Sequence, residues 1–213
     1  QPDSKWRIGA GEFAAILLFL IGWWVYRYKK LRRHRLVFLG LSLLVLGFWL
    51  NRPLSAVQFT SLLLGFLPSP ATNLLFYIVL LGVILPLAFS GKNIYCAYIC
   101  PYSALQEFAG KISGKNISLG KLRRFLPVIR NALLFTILMA AAITGKATAV
   151  AFEPFGVAFS LDLTAATYIW VILFVSLGLS FLFKRLWCIG FCPAGAFLDI
   201  LRQISTALRR PRG

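Results

Sequence analysis

The chain has 213 residues, 59% of them hydrophobic, and a formal net charge of +17 at pH 7. A mean hydropathy of +0.79 excludes an ordinary soluble domain. The chain has a single histidine, which excludes a bis-histidine haem site. Its six acidic residues form no convincing pair, so they give no support to glycosidase chemistry. In so apolar a chain, a surplus of Lys and Arg is typical of the cytoplasmic loops of a membrane protein, so we predict a lipid membrane and no nucleic acid as partner.

Five apolar segments approach the ~20 residues that a helix needs to cross a bilayer. In chain order they are residues 13–26, 36–50, 73–89, 125–143 and 165–183. A further apolar segment, 54–67, is short, lies between Pro53 and Pro68 and carries polar residues, so we predict that it is interfacial or re-entrant. The predicted fold class is an all-α integral membrane protein with about five transmembrane helices.

The basic residues predict how these helices are oriented. Of the 23 Lys and Arg residues, 19 lie in the segments 27–35, 92–130 and 184–213, which the five helices bring to one side of the membrane. Because basic loops stay in the cytoplasm, we predict a bacterial inner-membrane protein with its N-terminus outside and its C-terminus in the cytoplasm. Since the first residue is Gln1 rather than Met, we expect a processed chain or part of a longer one.

All four cysteines lie in two copies of the pattern C-x-x-x-C-P. They are Cys96 and Cys100 in the first copy, and Cys188 and Cys192 in the second. Residues four apart on a helix share a face, so each copy would present two sulfurs in one direction, at the cytoplasmic face. Two such pairs suit an iron–sulfur cluster, with 4Fe-4S favoured and 2Fe-2S as the alternative. The proline favours the start of a new helix, and freed N–H groups near this break would point at sulfur.

Three other interpretations of the cysteines stay open, because their spacing alone does not separate them from a cluster. Cysteine is often a buried apolar residue, although packing alone does not require two matched motifs. The thiols would alternatively cycle between dithiol and disulfide as a transient catalytic bond. Zinc and copper(I) also accept thiolate ligands. The sequence thus predicts a thiolate site, with the cluster favoured.

The sequence also repeats with a period of 91–92 residues. The run Lys30-Leu31-Arg32-Arg33 returns as Lys121-Leu122-Arg123-Arg124, and Glu107 corresponds to Asp199. The predicted parts are residues 1–35 with the first helix and a basic turn, 36–120 as the first repeat, and 121–213 as the second. Because both repeats have the same orientation, we predict a pseudo-twofold axis along the membrane normal, which brings the two motifs together.

Other candidates carry weaker signals. Four aromatic residues flank the sulfurs and are candidates for lining a quinone site, although membrane interfaces are rich in aromatics without such a role. They are Tyr95, Tyr98, Trp187 and Phe191. Lys92 and Lys184 are interpreted as positive-inside anchors, with contact to an anionic partner or cluster as the alternative. Glu153 and Asp162 are predicted to be solvated loop charges, and Arg130 to extend from a helix end to the membrane surface.

Several of these segments resemble the NosR/NapH group of polytopic membrane electron-transfer proteins. Residues 91–107, from Gly91-Lys92 through Tyr95-Cys96 and Cys100-Pro101 to Gln106-Glu107, resemble the first cysteine signature of that group. Residues 184–196, from Lys184-Arg185 through Cys192-Pro193 to Ala196, resemble the second. Glu153-Pro154-Phe155 and Leu54-Ser55-Ala56-Val57 are also similar to it, so the resemblance covers residues 27–204.

The resemblance implies an electron-transfer subunit of an oxidoreductase complex in a respiratory chain. It would pass electrons through a cysteine-ligated iron–sulfur centre, between quinone or a cytoplasmic donor and periplasmic or membrane partners. The implied partners are a periplasmic flavoprotein or cytochrome and a cytoplasmic ferredoxin-like protein. FMN is expected only on a partner or an upstream domain, because no FMN-attachment threonine motif occurs here. A thiol- or copper-handling assembly factor and a passive membrane anchor are the alternatives.

Overall fold

A computed structural model describes residues 9–70, 73–114, 117–146, 153–160 and 166–209. Within these ranges every regular element is a helix, which confirms the all-α prediction. The α-helices are α1 (Ala10–Arg27), α2 (Arg35–Ser42), α3 (Ala56–Leu63), α4 (Leu74–Ser90), α5 (Pro101–Ser113), α6 (Leu122–Thr144), α7 (Phe155–Ser160), α8 (Thr167–Ser180), α9 (Leu186–Gly190) and α10 (Pro193–Arg209). A π-helical segment, Leu43–Trp49, continues α2, and a second, Tyr95–Ile99, precedes α5.

Each of the five predicted membrane segments coincides with a helix: α1, α2 with its π-helical continuation, α4, α6 and α8. By length and hydropathy, two helices of the described residues are candidate membrane spans, namely α1 with 18 residues and α6 with 23. The helices α4 and α8 are apolar but shorter, with 17 and 14 residues. The helices thus support membrane association only weakly, and five transmembrane helices stay a prediction.

Glycine and proline set the limits of the helices around the cysteine motifs. Helix α4 ends where Gly91 takes a left-handed conformation with a φ of 62°, which L side chains rarely adopt. Pro101 and Pro193 are the first residues of α5 and α10, a position at which the missing N–H of proline is not needed. The expectation that each proline begins a new helix is confirmed. Cys100 and Cys192, the residues before these prolines, therefore lie at the breaks between helical segments, and each cysteine motif is called a cysteine turn below.

The helices after α1 follow one order twice. The first half of the molecule comprises α2 to α5 (residues 35–113), and the second half comprises α6 to α10 (residues 122–209). Each half begins with a long helical segment (α2 with its π-helical continuation, or α6) and a short helix (α3 or α7). An apolar helix (α4 or α8), a cysteine turn and a helix that starts at proline follow. The sequence repeat is therefore visible as a repeat of helices, while the boundaries of the three parts stay a prediction.

The two halves contact each other reciprocally. Phe59 of α3 packs on Phe197 of α10 with ring centroids 4.2 Å apart, and Phe155 of α7 packs on Tyr102 of α5 at 4.8 Å. Helix α5 also packs on α8, and α10 packs on α4. In a twofold arrangement, a contact of one element with another implies the reverse contact in the partner unit. These contacts agree with a pseudo-twofold relation, and the direction of its axis stays a prediction.

The short helices α3 and α7 fold towards the cysteine turns. The backbone N–H of Leu54, just before α3, donates a hydrogen bond to the hydroxyl of Tyr95 in the first turn over 2.9 Å. Phe155, at the start of α7, is 2% exposed and lies against Tyr102. The start of the segment 54–67 thus reaches a cysteine motif, while its interfacial or re-entrant placement stays a prediction.

Candidate metal centre

The four cysteines surround one cavity of about 230 Å³. The first half contributes Cys96 and Cys100, and the second half contributes Cys188 and Cys192. All four are free thiols. A cavity for a single water needs only ~10–15 Å³, so this one has room for a group of several atoms. The structure thus brings together the four residues that the sequence singles out.

The cysteines of each pair do not share one helix. Cys96 lies in the π-helical segment, but Cys100 has an extended backbone (φ −60°, ψ 118°) and precedes α5. Cys188 lies in α9, and Cys192 follows the end of that helix. The prediction of two cysteines on one helical face was wrong, because a following proline disfavours α-helical geometry at the residue before it. Both thiols of each pair nevertheless line the same cavity.

The helices after the turns present backbone N–H groups to sulfur. The N–H of Gly195, in the first turn of α10, donates to Cys192 Sγ over 3.3 Å. In the first turn of α5, the N–H groups of Tyr102 and Ser103 hydrogen-bond the sulfur of Cys100. Because the N-terminus of a helix carries partial positive charge, these donors favour an anionic sulfur. The expectation that freed N–H groups point at sulfur is confirmed.

Burial raises the pKa of all four thiols, to about 12 at Cys188. The negative charge of Cys100 adds to the rise in pKa at Cys96 and Cys188, and that of Glu153 adds to it at Cys192. A buried thiol of this kind is neutral near pH 7 unless a cation compensates for the loss of its proton. Thiolates in this cavity therefore need compensating positive charge beside them, such as a metal supplies.

Ion pairs hold the cysteine turns on both sides of the cavity. In the first half, Arg35 donates to Glu107 over 2.7 and 2.8 Å, and to a backbone carbonyl of the first cysteine turn over 3.0 and 3.1 Å. In the second half, Arg130 pairs with Asp199 at 2.5 Å and donates to the carbonyl of Cys188 over 3.4 Å. Each arginine thus ties a cysteine turn to the helix that follows the turn.

A further ion pair joins the two halves. Glu107, whose side chain is only 3% exposed, also pairs with Arg185, which immediately precedes α9. Although burial raises the pKa of Glu107, the hydrogen bonds and charges of Arg35 and Arg185 outweigh it, and the net pKa is lowered. Sequence reasoning missed the roles of these residues. The available signal was that Glu107 corresponds to Asp199 in the repeat.

Two predictions about charged residues were wrong. The side chain of Arg130 is 11% exposed and does not extend to a surface, because it forms an ion pair with Asp199 of α10. Glu153 is not a solvated loop charge, because the inward course of α7 buries its carboxyl. Its Oε2 accepts a hydrogen bond from the N–H of Ala56 over 2.7 Å, and burial raises the pKa of Glu153 from 4.5 to about 8. Asp162 lies outside the described residues.

The aromatic candidates for a quinone site lie in different surroundings. Trp187 and Phe191 line an apolar crevice of about 270 Å³ beside α8. The hydroxyl of Tyr95 accepts the hydrogen bond from the N–H before α3, and Tyr98 packs edge-on against Tyr26 with centroids 6.2 Å apart. The structure brings two of the four together in this crevice. A bound quinone stays a prediction, as does FMN on a partner.

Comparisons with known proteins bear on this site. Residues 72–120 and 165–211 match the 4Fe-4S binding domain family, and each stretch contains one cysteine pair. Protein NirI of Paracoccus denitrificans (strain Pd 1222) is 33% identical over 93% of this chain. The methylamine utilization ferredoxin-type protein MauN of the same organism is 27% identical over 91%. This chain spans 31% of the length of NirI and 65% of that of MauN. No solved structure matches the chain significantly.

Proposed function

Because this chain belongs to the 4Fe-4S binding domain family, as the resemblance predicts, we propose that its four cysteines bind one iron–sulfur cluster and that the chain transfers electrons through it. A 4Fe-4S cluster is preferred to 2Fe-2S. The proposed ligands are Cys96, Cys100, Cys188 and Cys192. The observation that carries the proposal is the single cavity to which each half of the molecule contributes two thiols. The ferredoxin-type relative supports an electron-transfer role.

The residues around the cavity fit such a group. In the part of the chain that the structure describes, no three His, Cys, Asp or Glu side chains lie close enough together to hold a single metal ion. The thiols surround a space instead of meeting at a point, which suits a multi-iron cluster better than a lone zinc or copper ion. Iron–sulfur clusters are held by Cys thiolates. When bound, the cluster supplies one-electron oxidation and reduction.

The chain's own residues orient the thiols and form a rigid wall. Phe155 lines the cavity and packs on Tyr102, and the two residues are 2% and 0% exposed. The N–H of Gly195 stabilises negative charge on Cys192 Sγ. A site with fixed donors needs little rearrangement when an electron is added or removed, because the surrounding dipoles are already oriented.

We include five membrane-spanning helices in the proposal, with the basic end of the molecule in the cytoplasm. Large apolar side chains on α1, α6 and α8 support this, since Phe13, Phe135 and Phe174 are 59%, 65% and 67% exposed. Lys92, after α4, lies with its Nζ 5.7 Å from the ring of Tyr26 near the end of α1, so basic ends of helices meet there. A single centre does not bridge a core ~30 Å thick, so redox partners complete the route.

Iron and acid-labile sulfide, measured on the full chain purified in detergent without oxygen, test the proposed cluster. We expect both in the wild-type protein and a loss of both in Cys96→Ser and in Cys188→Ser, one variant from each half. Ala109→Ser changes a buried residue of α5 that does not line the cavity, so it should retain both and serves as the control. Wild-type protein without iron and sulfide would refute the cluster. Copper in their place would favour the copper-handling alternative.

A further inference from the structure

Two arginine side chains line the cavity together with the cysteines. They are Arg130 of α6 and Arg185, which precedes α9. Both are largely buried, with side-chain exposures of 11% and 19%. Burying a guanidinium costs free energy unless its charge and its N–H groups find partners, because arginine does not lose its proton in proteins. The protein therefore places two permanent positive charges in the wall of a thiol-lined cavity.

Protein groups use only some of the donors of these arginines. Arg130 donates from Nη2 to Asp199 and from Nη1 to the carbonyl of Cys188. Arg185 donates from Nη2 to Glu107. The Nε–H of each arginine is buried and has no hydrogen-bond partner among the described residues. Two unused donors thus belong to side chains that line the same cavity.

Arg35 provides an internal comparison. It also pairs with Glu107, but it does not line the cavity. Its Nε donates to the carbonyl of Ala97 over 3.1 Å, and both of its terminal nitrogens bind Glu107. An arginine outside the cavity therefore has a partner for Nε, whereas the two arginines in the cavity wall have none. The two described arginines whose buried Nε has no partner are thus the two that line the cavity. Arg35 shows that pairing with Glu107 does not by itself leave Nε without a partner.

The backbone of Arg185 is also unusual. Its φ of 56° lies in the left-handed region, which is unfavourable for a residue with a side chain. Such a conformation persists only where the surrounding structure holds it, and it is common at functional sites. It is held here at the junction between α8 and the second cysteine turn, where the side chain meets both Glu107 and the cavity.

We propose that Arg130 and Arg185 donate guanidinium hydrogen bonds to sulfur of the anionic group held in the cavity, and that they raise its reduction potential. This inference rests on the proposed function and concerns positioning residues, not ligands. Four thiolates make the loaded site negative, and an added electron increases that charge. Nearby positive charges and N–H donors to sulfur stabilise the reduced form more than the oxidised form, so the potential rises.

A redox titration of the full chain, followed by electron paramagnetic resonance with dithionite as reductant, tests the effect on potential. We expect Arg130→Gln and Arg185→Gln each to lower the ratio of reduced to oxidised cluster about tenfold at a fixed ambient potential, which is ~59 mV for one electron. Arg130→Lys and Arg185→Lys keep the positive charge and should give smaller shifts. Arg202→Gln removes a second, more exposed arginine from Asp199 outside the cavity, and should change the ratio less than about twofold.

The wild-type protein supplies a second test that does not depend on whether a variant folds. After growth on ¹⁵N-labelled arginine, pulsed resonance of the reduced protein should show hyperfine coupling to guanidinium nitrogen. Absence of that coupling, or a shift in Arg202→Gln as large as those of the cavity variants, would overturn this inference while the cluster itself stands. Wild-type protein without iron and sulfide would refute the proposed function instead, so the two failures are distinguishable.

Discussion

In the first half of the molecule, Glu107 binds two arginines, Arg35 and Arg185. In the second half, Asp199 binds Arg130 at 2.5 Å and the more exposed Arg202 at 3.5 Å. The cysteines and the prolines that follow them, by contrast, recur with one spacing in both halves. The cysteine positions are thus repeated residue by residue. The ion pairs around them are repeated as well, but their arginines do not stand at equivalent positions.

Helix geometry explains this difference. Pro127 stands 92 residues after Arg35, and Arg130 lies three residues further along the same helix. Residues three apart lie on one helical face, so an arginine at either position reaches the following helix. The long, flexible side chain of arginine can reach its carboxylate from either position, three residues apart. The short cysteine side chain reaches the cavity only from one position in the turn. We therefore expect equivalent cysteine substitutions in the two halves to have equal effects, and substitutions of the corresponding carboxylates to have unequal effects.

The largest expected effect concerns the cysteines that precede proline. Cys100→Ser and Cys192→Ser remove equivalent ligands from the two turns, so each should lower bound iron and sulfide by about tenfold or more, and by the same factor. Iron and sulfide per chain, measured beside the Ala109→Ser control, test this equality. Full occupancy in either variant would contradict ligation by four cysteines.

The carboxylates should show the unequal response. Glu107→Gln leaves two arginines without their carboxylate, and we expect the free energy of unfolding to fall by about 3 kcal/mol. Asp199→Asn should cost about 1 kcal/mol, because Asp199 is 28% exposed and the carbonyl of Cys188 still binds Arg130. Urea unfolding in detergent, followed by tryptophan fluorescence, measures both losses. A larger loss at Asp199 would reverse the comparison.

A third test compares an acidic and a basic residue that each precede a proline shortly before a short helix, α7 or α3. Glu153 precedes Pro154 as Arg52 precedes Pro53, but the carboxyl of Glu153 is buried and Arg52 is exposed. Burial raises the pKa of Glu153 from 4.5 to about 8, so the folded chain holds this proton more tightly than the unfolded chain. The protonated carboxyl of Glu153 therefore contributes fully to the free energy of unfolding below pH 4.5. This contribution is lost as the pH rises towards 8.

We therefore expect the wild-type chain to lose about 2 kcal/mol of unfolding free energy between pH ~6 and pH ~8 through this group. Glu153→Gln should remove that loss, because glutamine does not titrate. Arg52→Gln should leave it in place and serves as the control. Urea midpoints measured across this pH range test the expectation, and parallel profiles for wild type and Glu153→Gln would contradict it.

The smallest effect tests the reciprocal contacts between the halves. Phe59→Leu and Phe155→Leu each remove one ring pair and should each lower the unfolding free energy by about 1 kcal/mol. Phe13→Leu, at a position that is 59% exposed, should change it by less than about 0.5 kcal/mol. Thermal unfolding in one detergent measures all three. A loss at only one of the two ring pairs would show that the contacts are not equivalent.

The helices and turns were predictable because local signals determine them. Gly91 ends a helix, Pro101 and Pro193 begin helices, and apolar runs mark the segments between them. The contact of Leu54 with Tyr95 was not predicted, because these residues are 41 positions apart. Local patterns do not encode such a contact.

The charged residues show the same limit. Arg130 and Glu153 were assigned to solvent-facing roles because their partners lie 69 and 97 positions away. A lone charge beside an apolar segment looks the same in sequence whether it meets water or a distant partner. The correspondence of Glu107 with Asp199 was the one available sign that a carboxylate is required after each cysteine turn.

Because the thiols are divided between the two halves, the cavity is complete only after the second half has been synthesised. Translation adds Cys188 only 92 residues after Cys96, which takes roughly 5–20 s at usual rates of synthesis. Until then only the first half of the cavity wall exists, and there is no Arg185 to meet Glu107. Under the proposed ligation by both halves, the cluster would therefore be completed only after the two halves have docked.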